Sequence, residues 1–186
     1  MCSTVIAAAH FASLKHRDQR RKDTIKTPYV NHVLDVAKIL SIEANITDPN
    51  VLAAALLHDT IEDTDCSFDE LVTSFGSKIA SIVMECTDDK NLPKSERKRL
   101  QIETASKKST EAKLVKLADK LSNLRSIVAG DYPQNWPLER ILEYFSWAKR
   151  VTDNLKGVSP VLEGLLQEIY QSSFSFEGCI YPTISN

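Results

Sequence analysis

Apolar residues return every three or four positions along most of this chain, which is the spacing of a helix face. Period-two alternation is not sustained, and glycine occurs only five times. The pattern predicts an all-α fold, a compact bundle of about eight to ten helices. Residues 3–17 form the first helix, with Ile6, Phe11 and Leu14 inward. Thr27 offers a capping hydroxyl and Pro28 a first-turn proline, so a second helix starts there. Its stripe is Val30, Val33, Leu34, Ala37 and Leu40. Thr47 or Asp48-Pro49 opens the third. Ser67-Phe68-Asp69-Glu70 reads as a capping box, and Gly76 stops the helix it begins. Residues 77–87 form another helix, and Pro93 begins a basic one, Lys94-Ser95-Glu96-Arg97-Lys98-Arg99. Over 111–128, Leu114, Leu117, Leu121, Leu124 and Val128 make one stripe. After Pro137, a long helix carries Ile141, Leu142, Tyr144, Phe145 and Trp147 as core first and ligand platform second. Ser159-Pro160 opens the last helix, to about Tyr170. The domain is therefore expected at 1–171, and 172–186 as an atypical tail, partly disordered.

One stretch departs from this amphipathic pattern. The apolar run Ala53-Ala54-Ala55-Leu56-Leu57 carries straight into His58-Asp59-Thr60-Ile61-Glu62-Asp63-Thr64-Asp65. Ala and Leu are strong helix formers, so the acids are expected at the end of a buried helix. On a helix, His58 stacks with Glu62 and Asp59 with Asp63, and the four span an arc of about 140°. Like charges at this spacing cost a few tenths of a kcal/mol in solvent and far more when buried. A divalent metal would relieve them: an imidazole beside a carboxylate supplies two ligands, and the other acids can orient water. The alternative is an acidic helix end in solvent with a satisfied histidine, and the stretch alone leaves both readings open.

Other polar positions say less. His10 and His16 read as one packed and one solvated histidine, and His32 as a structural one. Asp119 lies off its helix's main stripe, nearer Val115 and Ser122, so periodicity gives no reason to bury it. The run His16-Arg17-Asp18-Gln19-Arg20-Arg21-Lys22-Asp23 is either a solvated turn or a phosphate clamp built on planar guanidinium forks.

Composition narrows the class. With 186 residues, 42% of them hydrophobic, and a net charge of -2, the chain is globular and not a generic nucleic-acid binder. No apolar stretch approaches bilayer length, so no membrane partner is expected. Val5–Ala9 is a short apolar segment with no basic region before it, which argues against a secretory signal. Cysteines at 2, 66, 86 and 179 show no paired spacing, which suits reduced thiols in the cytoplasm. There is no glycine-rich phosphate loop, nucleophile elbow or dinucleotide fingerprint.

Three segments carry a resemblance: Pro28-Tyr29-Val30-Asn31-His32, His58-Asp59-Thr60-Ile61-Glu62-Asp63-Thr64, and Lys116-Leu117-Ala118-Asp119-Lys120-Leu121-Ser122-Asn123-Leu124-Arg125. Arg20-Arg21-Lys22-Asp23, Thr87-Asp88-Asp89-Lys90 and Tyr144-Phe145-Ser146-Trp147-Ala148 accompany them in order. Together they resemble the histidine–aspartate (HD) phosphohydrolase superfamily, and within it the hydrolase domain of the RelA/SpoT proteins, nearest its small stand-alone animal forms. The resemblance implies that His32, His58, Asp59 and Asp119 hold one Mn²⁺ and that Glu62 and Asp63 set up the attacking water. It implies phosphate contacts from Arg21 and Lys22 and nucleotide contacts from Asn123 and Tyr144. Lys94, Arg97 and Arg125 are further phosphate neighbours on the same ground. The implied reaction is hydrolysis of the 3′-diphosphate of guanosine tetra- or pentaphosphate (ppGpp, pppGpp) to GDP or GTP and pyrophosphate. NADPH 2′-phosphatase activity, giving NADH and phosphate at the same site, is the alternative, and a non-catalytic nucleotide sensor a second. Degradation without synthesis is expected, since no synthetase-like segment follows residue 170.

Overall fold

Alanine sets how closely the first helices approach. The computed structural model describes residues 2–184. In α1 (Cys2–Lys15), Ala8 and Ala12 are fully buried, and α1 packs on α3 (Pro49–Leu57), where Ala53, Ala54 and Ala55 are fully buried too. Small side chains on both helices permit this contact. Ile6 and Leu14, expected inward, are 61% and 54% exposed; the alanine face won the interior. Phe11 is half-buried, edge-on to Phe75 at 5.3 Å.

The second helix, α2 (Val30–Lys38), continues as a wider turn over Ile39–Glu43. It starts later than Thr27-Pro28 predicts, and Thr27 caps nothing. That pair instead closes a loop: Thr27 O accepts from Arg21 N–H at 2.8 Å, Asp23 accepts from Thr27 N–H at 3.0 Å, and Pro28 bridges Arg20. Val33, Val36, Ile39 and Leu40 are buried, and Leu34 is exposed. The loop fixes Arg20, Arg21 and Lys22 beside the start of α2.

Asp48 caps α3 through Asn50 N–H, as its Asp-Pro signal predicts. The helix does not run through the acids. It ends at Leu57, His58 and Asp59 form a turn, and α4 (Thr60–Asp63) is a separate single turn. Side chains end it: His58 Nδ1–H bonds Ala55 O and Thr60 Oγ1–H bonds Leu57 O, both at 2.7 Å. Such side-chain bonds compete with helix continuation.

Ser67 caps α5 (Phe68–Phe75), but Glu70 bonds Lys15 and not back to the cap. Gly76, at φ 84°, separates α5 from α6 (Ser77–Cys86). Then come the basic α7 (Lys94–Thr104), α8 (Thr110–Val128), α9 (Leu138–Asp153) and α10 (Pro160–Tyr170). The long α8 packs against α2, α3, α6, α9 and α10. Leu114, Leu117, Leu121 and Leu124 are buried as their spacing requires, but so are Val115, Ala118, Lys120 and Ser122. This second buried face carries the Asp119 side chain inward to 14% exposure.

Within the expected tail, residues 173–182 form a hairpin, and 185–186 lie outside the described residues. β1 (Ser173–Phe176) pairs antiparallel with β2 (Cys179–Pro182), in the register Phe174↔Tyr181. Glu177 and Gly178 both take positive φ at the turn, the geometry of the tight hairpin connection. Phe174 is 2% exposed, 5.4 Å from the Phe145 ring. Cys66, Cys86 and Cys179 are free. Among the described residues no helix is long and apolar enough to cross a membrane.

Candidate active site

Two histidines are held with one ring nitrogen already occupied. His32, in the first turn of α2, directs Nδ1 at Ser122 Oγ (3.2 Å), and Ser122 donates its hydroxyl proton to Asp35 at 2.7 Å. Ser122 therefore accepts from His32 Nδ1–H. His58 gives its Nδ1–H to Ala55 O. Both rings thus present an Nε2 lone pair to the same space. Asp59 and Asp119 face that space as well. His58 Nε2 lies 3.1 Å from Asp59 Oδ2 and 3.8 Å from Asp119 Oδ1; His32 Nε2 lies 3.2 Å from Asp119 Oδ1 and 3.8 Å from Asp59 Oδ2.

His58 Nε2 is buried and has no hydrogen-bond partner. A lone pair aimed at carboxylates is repulsive unless a cation lies between them. Donor atoms of His32, His58 and Asp59 fall within 4.8 Å of one another, so the set fits a divalent ion, as mixed imidazole and carboxylate donors do. With no ion, protons feel the same field. Burial opposes charge on His58, but Asp59 and Asp119 overcome it and raise its pKa well above the ordinary value. Burial likewise works against the charge on Asp59 and Asp119, yet the histidines, and Lys120 beside Asp119, hold both carboxyls below the usual range.

Both aspartates are held from outside. Tyr29 donates its hydroxyl to Asp59 Oδ2 at 2.5 Å. Lys120 Nζ donates to Asp119 Oδ2 and Asn123 Nδ2 to Asp119 Oδ1, each at 2.7 Å. The Lys120 ammonium is buried and also sits 5.1 Å from the Trp147 ring centre.

The single turn of α4 sends the two following acids to different places. Glu62 joins His58, Asp59, Asp119, Lys120 and Asn123 around a cavity of about 150 Å³. Its Oε2 accepts Asp88 N–H at 3.1 Å, and the Arg97 guanidinium is 3.6 Å from Oε1. Burial, with added repulsion from Asp88, Asp59 and Asp63, raises the Glu62 pKa. Asp63 faces a larger cavity and accepts from Gln19 Nε2 at 2.9 Å and Lys90 Nζ at 2.6 Å.

That larger cavity, about 400 Å³, is lined by Arg20, Arg21, Lys22, Asn123, Trp136 and Tyr144. Arg21 donates to Asn123 Oδ1 at 3.0 Å, and the Trp136 and Tyr144 rings are 5.4 Å apart. A third cavity, about 210 Å³, is lined by Glu62, Lys94, Arg97, Lys98, Arg140 and Trp147. Burial and the neighbouring cations Arg140 and Lys98 lower the Lys94 pKa. Shared residues join the three spaces: Tyr29 and Asn123, Glu62 and Gln101, Trp136 and Tyr144.

Twelve of the thirteen residues expected from the sequence border this recess or its ligand cluster. Arg125 does not: both its terminal nitrogens bond Glu43 at 2.9 Å, away from the cavities. Two helical steps from Asn123 turn it by about 200°, onto the opposite face. Tyr29, Lys120, Ser122, Gln19, Trp136 and Arg140 went unassigned. Tyr29, Lys120 and Ser122 lie inside the matched segments, but nothing in one-dimensional spacing says which way they point. Arg140 shares a helix face with Tyr144, a signal that spacing does carry.

An HD-domain family profile matches residues 8–141. The guanosine-3′,5′-bis(diphosphate) 3′-pyrophosphohydrolase MESH1 of Drosophila melanogaster is 56% identical over 161 residues, covering 87% of this chain and 89% of that protein. The human protein of the same name is 53% identical over 167 residues, covering 90% and 93%. A solved structure, described as a metazoan ortholog of SpoT that hydrolyzes ppGpp and plays a role in starvation responses, matches with TM-score 0.87 and 54% identity, covering 90% of this chain and 93% of that one.

Proposed function

The chain belongs to the HD-domain family, and we propose that it hydrolyses the 3′-diphosphate of guanosine tetra- and pentaphosphate with one Mn²⁺, releasing pyrophosphate and GDP or GTP. The carrying observation is the convergence of two anchored imidazoles and two half-buried carboxylates beside a cavity walled by Arg21 and Lys22. The activity for which the relatives are named, in proteins matched over about nine-tenths of their length, supports the same substrate. We assign the catalytic domain to 1–171 and, on three free thiols, place the reaction in the cytoplasm.

His32, His58, Asp59 and Asp119 would hold the ion. Bound there, it supplies Lewis acidity, lowering the pKa of water and drawing charge from a phosphoryl oxygen. The remaining work falls to the chain. Glu62 takes the proton of the attacking water; its raised pKa makes the carboxylate a stronger base. Asp63, fixed by Gln19 and Lys90, orients the substrate side of that water. Arg21 and Lys22 offset phosphate charge as the bond to the ribose 3′ oxygen breaks, with Lys94 and Arg97 beyond. Tyr144 offers a flat face to the base, and Asn123, held by Arg21, a polar contact. Tyr29 and Lys120 keep the aspartates aimed inward.

The test is incubation of the Mn²⁺-loaded protein with guanosine tetraphosphate and, separately, with NADPH. Pyrophosphate from the first, abolished by chelator and restored by Mn²⁺, is the expected result. Orthophosphate from NADPH alone would transfer the site to the 2′-phosphatase reaction. Nucleotide binding with no release from either, metal bound, would refute hydrolysis and leave a sensor.

A further inference from the structure

The hairpin reaches the cavity through one aromatic contact. In β1, Phe174 and Phe176 share the inward face while Ser173 and Ser175 are exposed. Phe174 is sealed against Phe145 in the core. Phe176 instead packs on Tyr132, ring centres 5.5 Å apart. Tyr132 belongs to the segment between α8 and α9, and its neighbours Asp131 and Pro133, with Trp136, line the 400 Å³ cavity. One side of this segment therefore faces the hairpin and the other faces the cavity. It is also tied to the basic wall: Gln134 N–H bonds Lys22 O at 3.2 Å. Further backbone bonds, Asp131 N–H to Ser126 O at 2.8 Å and Trp136 N–H to Pro133 O at 3.0 Å, keep the segment compact. Thr183, 1% exposed, closes the far end of the hairpin onto Ser172 O and Ile169 O.

We propose that Phe176 is a positioning residue for the cavity: by packing on Tyr132 it holds the 131–136 segment, and with it Trp136 and the Lys22 backbone, in the conformation that receives the nucleotide. The hairpin is thereby part of the substrate-binding architecture, although it contributes no side chain to the cavity lining. Metal-site residues sit on α2, α8 and the turn after α3, none of which the Phe176–Tyr132 contact involves, so binding and chemistry should separate. This rests on the cavity being the nucleotide site of the proposed reaction.

Phe176→Ala tests it. KM for guanosine tetraphosphate is expected to rise about 3- to 10-fold, the worth of one aromatic pair, with kcat and bound manganese changed less than about twofold. Phe176→Tyr should restore the wild-type KM. A second readout needs no substrate. With Trp147→Phe, Trp136 is the sole tryptophan, and acrylamide quenching of its fluorescence should increase on adding Phe176→Ala. If the wild-type protein turns out to act on another nucleotide, the quenching still reports the coupling, which separates failure of this inference from failure of the substrate assignment. Unchanged quenching and unchanged KM in a folded Phe176→Ala protein would overturn it. So would a parallel fall in kcat, manganese content and Tm, the mark of a general structural role.

Discussion

Ser122→Ala removes one oxygen that touches neither substrate nor metal, and it should still weaken the metal site. Ser122 is 3% exposed and joins His32 Nδ1 to Asp35. Without its hydroxyl, the His32 N–H is left without its acceptor and the ring is free to tilt. Leaving a buried donor unsatisfied costs about 1–3 kcal/mol. Loss of an outer partner of a metal-binding histidine typically costs about 10–100-fold in affinity, which is about 1.4–2.7 kcal/mol. The two routes agree, so the apparent Kd for Mn²⁺, measured by competition with a chelator, is expected to rise 10–100-fold. At saturating Mn²⁺, kcat should return to near the wild-type value, because Glu62 and the basic residues lining the larger cavity are untouched. Asp35→Ala acts on the same chain of bonds, so the double variant should lose less than the sum of the two single losses. Wild-type manganese affinity in a folded Ser122→Ala protein would refute the assignment of His32 Nε2 as a ligand atom. A kcat loss that saturating metal does not repair would refute the claim that Ser122 acts through the metal.

Three further outcomes follow from the same geometry. Glu62→Gln should keep stoichiometric Mn²⁺ and lose about a hundred- to ten-thousandfold in kcat, whereas Asp59→Ala should lose metal and turnover together; normal turnover in Glu62→Gln would end its role as base. In chelator-treated protein, His58 holds its proton above its ordinary 6.5, so folding stability is full below pH 6.5 and declines as pH rises through the higher folded-state value. Asp59 and Asp119 sit below their ordinary 3.8, so their contribution is present above that pH and is lost on acidification. Thermal melts of the chelated protein should therefore weaken from pH 6.5 upward, and the manganese-loaded protein should not, since the ion takes the proton's place. A metal-free Tm that climbs between pH 6.5 and 8 would contradict this. Phe174→Ala should cost about 3–5 kcal/mol in urea unfolding, because it opens a hole beside Phe145; a loss under 1 kcal/mol would mean the hairpin is not docked.

Much of the helical framework was legible because its signals are local. Asp48-Pro49, Ser67 and Ser159-Pro160 each bind backbone N–H groups within a turn of themselves, and each starts a helix where its sequence places it. Thr27-Pro28 carries the same signal and fails, because Asp23 and Arg21 engage Thr27 first. The hairpin leaves little local signal for a related reason. Ser-Phe-Ser-Phe alternates over only four residues, too few to register as a period, and Phe174 is ordered by Phe145, which lies 29 positions earlier.

The site divides along the same line. The order and spacing of the histidine, aspartate and asparagine positions, and the family they indicate, belong to the sequence by itself, since they depend only on which residues occur where. Which atoms meet was decided by the tertiary structure. Asp119 was turned inward because α8 is covered on two faces, which one helix's periodicity cannot reveal. Glu62 and Asp63, about 100° apart on the single turn of α4, border separate cavities because different elements pack around each. Arg125 left the site because a two-residue step on a helix is more than half a turn. Tyr29 and Ser122 meet partners 30 and 90 residues away in the chain. Burial and direction arise from helices packing on one another, so no single stretch of the sequence contains them.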